Sequence, residues 1–222
     1  MSATATALAP EVLVQTVGAF QENCYLVVDP QTRVAAVVDP GAEGARLVDW
    51  IRAANVQLEA IWLTHAHLDH IGAIADVVRA WDVPVHLHPL DRPVFDYAPR
   101  AAQMYGLYME PQPAPTAEFA EGQQLTLGAL TFDVMHAPGH APGHVVIHGH
   151  GVALAGDCLF YGSVGRTDLP LSEPAALTRS LARIAALPAE TVVHPGHGPS
   201  TTIGRERAEN PFLNGGARVL GG

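Results

Sequence analysis

Between an apolar run, Ala60-Ile61-Trp62-Leu63, and a run with helical patterning, Ile71-Gly72-Ala73-Ile74-Ala75-Asp76-Val77-Val78, the chain carries Thr64-His65-Ala66-His67-Leu68-Asp69-His70. Three imidazoles and a carboxylate crowd into the six positions from His65 to His70. If the apolar run is a strand, His65 and His67 lie two apart and project to the same side. Asp69 and His70 then fall where a helix should begin. A strand end that turns into a helix can aim several side chains at one point in space. Imidazole nitrogen and carboxylate oxygen suit zinc, and also iron or manganese. The stretch reads as half of a two-metal site, and the remainder of the chain has to supply the other half.

Ligand types recur in loops after strands, which is where sites are built on α/β scaffolds. One such loop is Met135-His136-Ala137-Pro138-Gly139-His140-Ala141-Pro142-Gly143-His144. Others are Ala155-Gly156-Asp157-Cys158 and Val193-His194-Pro195-Gly196-His197-Gly198, where His194 competes with His197. His136 and His144 flank His140 at helical spacing, but Pro138 and Pro142 forbid the helix that would align them. They are expected to support ligands or to face solvent. His86, His88, His148 and His150 read as structural, and Thr64 as a support for its neighbours. Cys158 has no assigned imidazole partner and is set aside as a nucleophile.

The apolar patterning predicts strands at residues 11–17, 24–29 and 34–38, with a hairpin turn at Asp29-Pro30-Gln31-Thr32. A helix over 43–54 would bury Leu47, Val48 and Ile51 on one face. After the ligand stretch a helix is expected to run to Trp81, then a strand over 83–88. Residues 89–121 are rich in Pro, Tyr and Met, with a helix near 94–105, and suggest a flap over a site. Strands follow at 124–127, 130–135, 144–147 and 152–156, then a helix over 174–187 and a strand at 191–193. The tail, 205–222, reads as a short helix and loose ends. Two sheets packed face to face with helices outside would bury these strands in a single α/β domain over residues 1–222.

With 222 residues, 48% of them apolar and 15% charged, the chain can bury a sizeable core. Its net charge of −10 argues against a nucleic-acid partner, which needs a basic footprint. All 12 basic residues are arginine, so chemistry that needs lysine, such as a Schiff base or a phosphate-loop lysine, is excluded. The opening Met1-Ser2-Ala3-Thr4-Ala5-Thr6-Ala7-Leu8 lacks a basic segment and does not read as a signal peptide. No run reaches the roughly 18 apolar residues of a membrane span. The two cysteines, Cys24 and Cys158, lie far apart, which points to a reducing cytoplasm.

The ordered set of His65 to His70, Pro138-Gly139-His140-Ala141-Pro142-Gly143, Gly156-Asp157-Cys158-Leu159-Phe160 and Pro195-Gly196-His197-Gly198 resembles the metallo-β-lactamase superfamily. Within it the chain is most similar to the glyoxalase II branch, over roughly residues 12–212. Gly162-Ser163-Val164-Gly165-Arg166-Thr167-Asp168 and Gly204-Arg205-Glu206-Arg207-Ala208-Glu209-Asn210-Pro211-Phe212 are like stretches of short bacterial relatives. The resemblance implies a four-layer αββα sandwich, without the C-terminal helical substrate domain of glyoxalase II proper.

It also implies that His65, His67 and His140 hold one divalent ion, that Asp69, His70 and His197 hold a second, and that Asp157 bridges both. Zinc is expected first, with iron or manganese as other occupants. Asp69 would orient a metal-activated water as the catalytic carboxylate. Arg166 corresponds to a family lysine and would grip a carboxylate of the substrate. Asp168 and Pro199 stand where the family has tyrosines. The implied reaction is hydrolysis of a thioester such as S-D-lactoylglutathione or a related acyl-thiol. Alternatives on the same scaffold are an iron-dependent persulfide dioxygenase, with one ion held by two His and one Asp, and a lactonase- or lactamase-like hydrolase.

Overall fold

Runs such as Glu22–Val28 and Val34–Val38 are buried at every position, which is possible only for strands covered on both faces. The computed structural model describes residues 9–219, so the leader expectation at Met1 to Leu8 lies outside the described residues. The strands are β1 (Glu11–Val17), β2 (Glu22–Val28), β3 (Val34–Val38), β4 (Gln57–Trp62), β5 (Val85–Leu87) and β6 (Ala117–Glu118), which line up in that order as one sheet. β7 (Gln124–Leu127), β8 (Leu130–His136), β9 (Val145–Gly149), β10 (Val152–Gly156), β13 (Val192–Pro195) and β14 (Thr201–Thr202) form the second, ordered β14-β13-β10-β9-β8-β7. A small ribbon of β11 (Leu159–Phe160) and β12 (Ser163–Val164) stands apart from both. The helices are α1 (Gly44–Ala53), α2 (Leu68–Ile71), α3 (Ile74–Ala80), α4 (Arg92–Met104), α5 (Pro174–Ile184), α6 (Ile203–Glu209) and α7 (Pro211–Asn214).

The pleat decides which layer each apolar side chain joins. Cys24, Leu26 and Val28 of β2 and Ala35 and Val37 of β3 pack with Leu47, Ile51, Ile74 and Val77 of α1 and α3. Their alternates Tyr25, Val27, Ala36 and Val38 face the second sheet and meet Leu130, Phe132 and Val134 of β8. On the far side, Met135, Val146, Ala153 and Val193 pack against Leu177, Leu181 and Ile184 of α5. The result is the expected sandwich: helices, sheet, sheet, helices. At its centre Trp62 meets Phe132 edge to face, with ring centroids 5.7 Å apart. Among the described residues no helix is long and apolar enough to cross a membrane.

Four local expectations need correction. β4 ends at Trp62, so residues 63–67 are a loop and the pleat does not place His65 and His67. The following helix starts at Leu68 and is broken between Ile71 and Ile74. There the Ala73 N–H bonds Pro40 O at 2.9 Å, and a Cβ on Gly72 would lie 2.4 Å from Gly41 O. The close passage of that turn over the helix accounts for the break. Residues 89–121 do lie over a cavity, where α4 faces His67 and His140, but they are more regular than expected: a 3-10 turn (Pro89–Asp91) leads into α4, and β6 extends the first sheet. The last long strand runs on through His194 to Pro195.

Phe132 has no exposed surface, whereas its neighbour Thr131 is exposed. Phe132→Ala is expected to cost about 3–5 kcal/mol, and Thr131→Ala to stay within about 0.5 kcal/mol. Guanidinium unfolding midpoints of the two variants check this; equal midpoints would place the core elsewhere.

Candidate metal centre

The loop after β4 is pinned from both sheets. Leu63 N–H bonds His86 O at 3.0 Å, and Val145 N–H of the opposite sheet bonds Thr64 O at 2.8 Å. Ala66 N–H is held at 2.8 Å by the buried carboxylate of Asp91, which also accepts from Gly143 N–H in the His140 loop. Burial pushes the Asp91 carboxyl up to about 6. His67 caps α2, and Asp69 and His70 follow in its single turn. His140 comes from the turn between β8 and β9, and Asp157 directly follows β10. Gly156 has φ +46°, and a Cβ there would lie 2.3 Å from Thr64 Oγ1 and 2.7 Å from His144 Nε2, so only glycine lets β10 deliver Asp157. His197 follows β13, whose end is tied down by Tyr25 Oη and Asn23 Nδ2 donating to Pro195 O at 2.7 and 3.1 Å. β10 and β13 run parallel, and the ligand loops leave their C-terminal ends, as they do for β4.

These loops bring the seven expected ligands together. Nitrogens of His65, His67 and His140 lie within 4.8 Å of one another, and so do ligand atoms of Asp69, His70 and His197. Within the first group His67 Nδ1 and His140 Nε2 are 2.8 Å apart; within the second, Asp69 Oδ2 is 3.3 Å from His197 Nε2. Asp157 sits between them. Its Oδ2 is 3.5 Å from both His140 Nε2 and His197 Nε2, and its Oδ1 is 3.5 Å from His70 Nε2. Among the described residues His65 Nε2, His70 Nε2 and Asp157 Oδ1 are buried with no hydrogen-bond partner. An orphaned buried polar atom costs about 1–3 kcal/mol, and three that converge beside further imidazoles and carboxylates fit a bound cation.

Burial holds the His65 imidazole well below its usual range, and lowers His67 to about 3 and His140 to about 4, helped by repulsion from His70 at His65 and His140 and from His140 at His67. All three are thus neutral near pH 7, with lone pairs free for a metal. For His70 burial acts downward, but the carboxylates of Asp157, Asp69 and Asp39 outweigh it and raise the group. Asp69 is lowered, because His70 and His197 overcome its burial, whereas burial raises Asp157.

A surrounding layer fixes the ring orientations. His65 Nδ1 faces Thr64 Oγ1 at 3.1 Å, His70 Nδ1 faces Asp39 Oδ2 at 3.1 Å, His140 Nδ1 faces Arg166 O at 2.8 Å and His197 Nδ1 faces Phe20 O at 3.1 Å. With one nitrogen engaged, each ring points the other inward. Asp39 was not singled out from the sequence, where Asp39-Pro40-Gly41 reads as a strand end. It is buried, and it also accepts from Thr64 N–H at 2.7 Å and Thr64 Oγ1–H at 2.6 Å. The signal was an aspartate closing an otherwise apolar strand. Glu22, fully buried with unpartnered oxygens 3.8 Å from His70 Nδ1, was also missed, and burial raises its carboxyl far above the usual range.

His144 lies behind the ligands: its ring stacks on His65 with centroids 4.9 Å apart, and its Nε2 accepts from Asp157 N–H at 3.0 Å. His136 stacks on His88 instead, and His194 packs beside Tyr25 and Ser200. Arg166 lines the cavity above the cluster, yet its guanidinium is held as a fork by Asp168, with Nε and an Nη at 2.6 and 2.7 Å from the two oxygens. Arg166 in turn holds the Asp168 carboxyl down at about 2. Contrary to the sequence reading, Cys158 has an imidazole neighbour, His144 Nδ1 at 3.4 Å from its sulfur, but it is buried, lies 3.3 Å from Ala137 O, and burial raises its thiol far above the usual range.

A protein of Haemophilus influenzae named hydroxyacylglutathione hydrolase GloC is 38% identical over 203 residues, 89% of this chain and 95% of that one. The crystal structure of TTHA1623 in a di-iron-bound form superposes with a TM-score of 0.84 at 46% identity, covering 90% of this chain and all of that one. That of BLEG-1 B3 metallo-beta-lactamase does so with a TM-score of 0.86 at 35% identity, covering 91% and 99%. The sequence profile of the metallo-beta-lactamase superfamily matches residues 17–197, a span that opens at the last residue of β1 and closes on His197. By sequence profile, fold and ligand cluster alike, this chain belongs to the metallo-beta-lactamase superfamily.

Proposed function

We propose that the protein hydrolyses thioesters at a two-ion centre in which His65, His67 and His140 hold one divalent ion, Asp69, His70 and His197 hold the other, and Asp157 is shared. The observation that carries this is the place of Asp157, with carboxylate oxygens 3.5 Å from a nitrogen in each triad. When bound, such ions lower the pKa of water toward roughly 7 and polarise a carbonyl. The hydrogen-bonded surroundings of the rings supply the rigidity that this needs. Asp69, kept ionised by His70 and His197, stands at the cavity floor as the group that orients the attacking water. Water adds to the thioester carbonyl carbon, the carbon–sulfur bond breaks, and a carboxylic acid and a thiol leave. Both cysteines are buried, and burial raises their thiols, which disfavours the thiolate that a nucleophile needs.

The name of the Haemophilus influenzae relative supports a hydroxyacyl-glutathione thioester as the reference substrate. The di-iron form of TTHA1623 supports two ions and admits iron beside zinc. A persulfide dioxygenase needs one ion on two histidines and an aspartate, and the intact grouping of Asp69, His70 and His197 weighs against it.

Metal analysis of the purified protein should find close to two ions per chain, with turnover of S-D-lactoylglutathione. A single iron with persulfide-dependent oxygen uptake would overturn the proposal. Asp157→Ala should lose occupancy of both sites together, whereas His67→Ala should spare the second; an Asp157→Ala protein that keeps two ions would remove the bridging role. Asp39 meets the outer nitrogen of His70 and otherwise bonds Thr64, so Asp39→Ala should weaken the second ion by about 10–100-fold while the fold persists. Chelator competition followed by circular dichroism reads both, and unchanged affinity would show that Asp39 serves the backbone alone.

A further inference from the structure

Above the ligand cluster lies a cavity of about 770 Å³, within the size range of small-molecule sites. Its walls come from α4 and from the loop after β12, and its bulk is supplied by Phe20, Tyr97, Met104, Tyr105, Phe160 and Leu171. Phe20 and Tyr105 meet edge to face with centroids 5.3 Å apart, and Tyr97 Oη donates to Met104 Sδ at 3.4 Å, so even the polar tip of Tyr97 is spent on an apolar neighbour. Met104, Tyr105 and Leu171 are 74%, 53% and 60% exposed at the rim. Leu171 also holds φ at +68°, a left-handed conformation that disfavours a side chain, and core packing does not account for it.

Charge is scarce on these walls. The chain has no lysine, and of its 12 arginines only Arg166 lines the cavity. Asp168 takes one edge of that guanidinium, through Nε and one Nη, and leaves the other Nη outside the pair. A glutathione moiety presents two carboxylates and an ammonium, and among the described residues this wall offers the former a single cation, already paired along one edge with Asp168.

We propose that the substrate is a neutral thioester bearing an apolar chain, and that the Arg166–Asp168 pair biases the site against anionic thiol carriers. This rests on the thioester reading above. Apolar chain burial against the aromatic wall drives binding, and Asp168 offsets the one charge that would recruit a carboxylate. The chemistry is unchanged: one water is consumed, a carbon–oxygen bond forms and the carbon–sulfur bond breaks.

The test compares kcat/KM of the metal-loaded full chain on four thioesters: acetyl- and octanoyl-N-acetylcysteamine, S-octyl thioacetate and S-D-lactoylglutathione. Octanoyl-N-acetylcysteamine or S-octyl thioacetate should exceed the acetyl compound and lactoylglutathione by about tenfold or more, a gain that burial of two methylene groups suffices to give. Which of the two leads tells whether the chain sits on the acyl or the thiol side. Asp168→Asn frees Arg166 and should raise lactoylglutathione relative to the neutral substrates several-fold. Leu171→Gly relieves the positive φ while removing the apolar side chain, and should lower the octanoyl-to-acetyl ratio without loss of thermal stability. If lactoylglutathione is turned over at least as well as the octyl compounds, or Asp168→Asn leaves the ratio unchanged, the apolar assignment falls and hydrolysis stands. If no thioester is cleaved, both fall.

Discussion

Everything near the mouth of this sandwich depends on one constraint: inward-facing imidazoles and carboxylates are buried together and must find a common partner. An orphaned buried nitrogen or oxygen is costly, and here His65 Nε2, His70 Nε2 and Asp157 Oδ1 converge on one region. The fold meets the constraint with backbone. Val145 N–H to Thr64 O ties the first ligand loop to the opposite sheet, and Asp91 bonds the His65 and His140 loops at once. Asn23 N–H to Gly196 O fastens the His197 loop to β2. The two sheets are thus joined at their mouth by the loops that carry the ligands, as well as by Trp62 and Phe132 in the interior.

Around His70 the concentration of acid is high. Asp39, Asp69, Asp157 and Glu22 all approach it, and each would repel the others if ionised in a dry pocket. Burial raises the Glu22 carboxyl and so disfavours its charge, and the negative charge of the others is what a bound cation would offset. A cation that binds only the folded chain stabilises it by about 2.7 kcal/mol at a concentration a hundredfold above its dissociation constant. In such a site metal affinity and folding are the same interaction seen from two sides.

Much of this was legible along the chain because ligand identity is local. His65, His67, Asp69 and His70 are adjacent in sequence, and Pro138-Gly139-His140 and Pro195-Gly196-His197 carry their own turn chemistry. The strands were legible too, since Val34–Val38 can only be covered on both faces. What stayed hidden was set by packing over long separations. Asp39 acts on His70 from 31 positions away, and nothing in Asp39-Pro40-Gly41 states that its carboxylate turns inward. The helix break at Gly72 follows from a turn contributed by residues 40–41. The carbonyls of Arg166 and Phe20 orient His140 and His197 through backbone atoms that every residue type possesses.

The cavity differs from the metal floor in this respect, and the difference bears on how such a scaffold diversifies. The floor needs fixed donor atoms at fixed distances, so its residue types are chemically constrained. The walls need only volume and polarity, and they are built from α4 and the segment between β12 and α5, which join the ligand loops without supplying ligands. Arg166 shows the two demands meeting in one residue. Its carbonyl orients His140, a backbone duty that any side chain would allow, while its guanidinium faces the cavity and is held by Asp168. On the proposal made above, a change at Asp168 would retune that side chain while the His140 contact stays, so that specificity and chemistry would run through different atoms of the same residue.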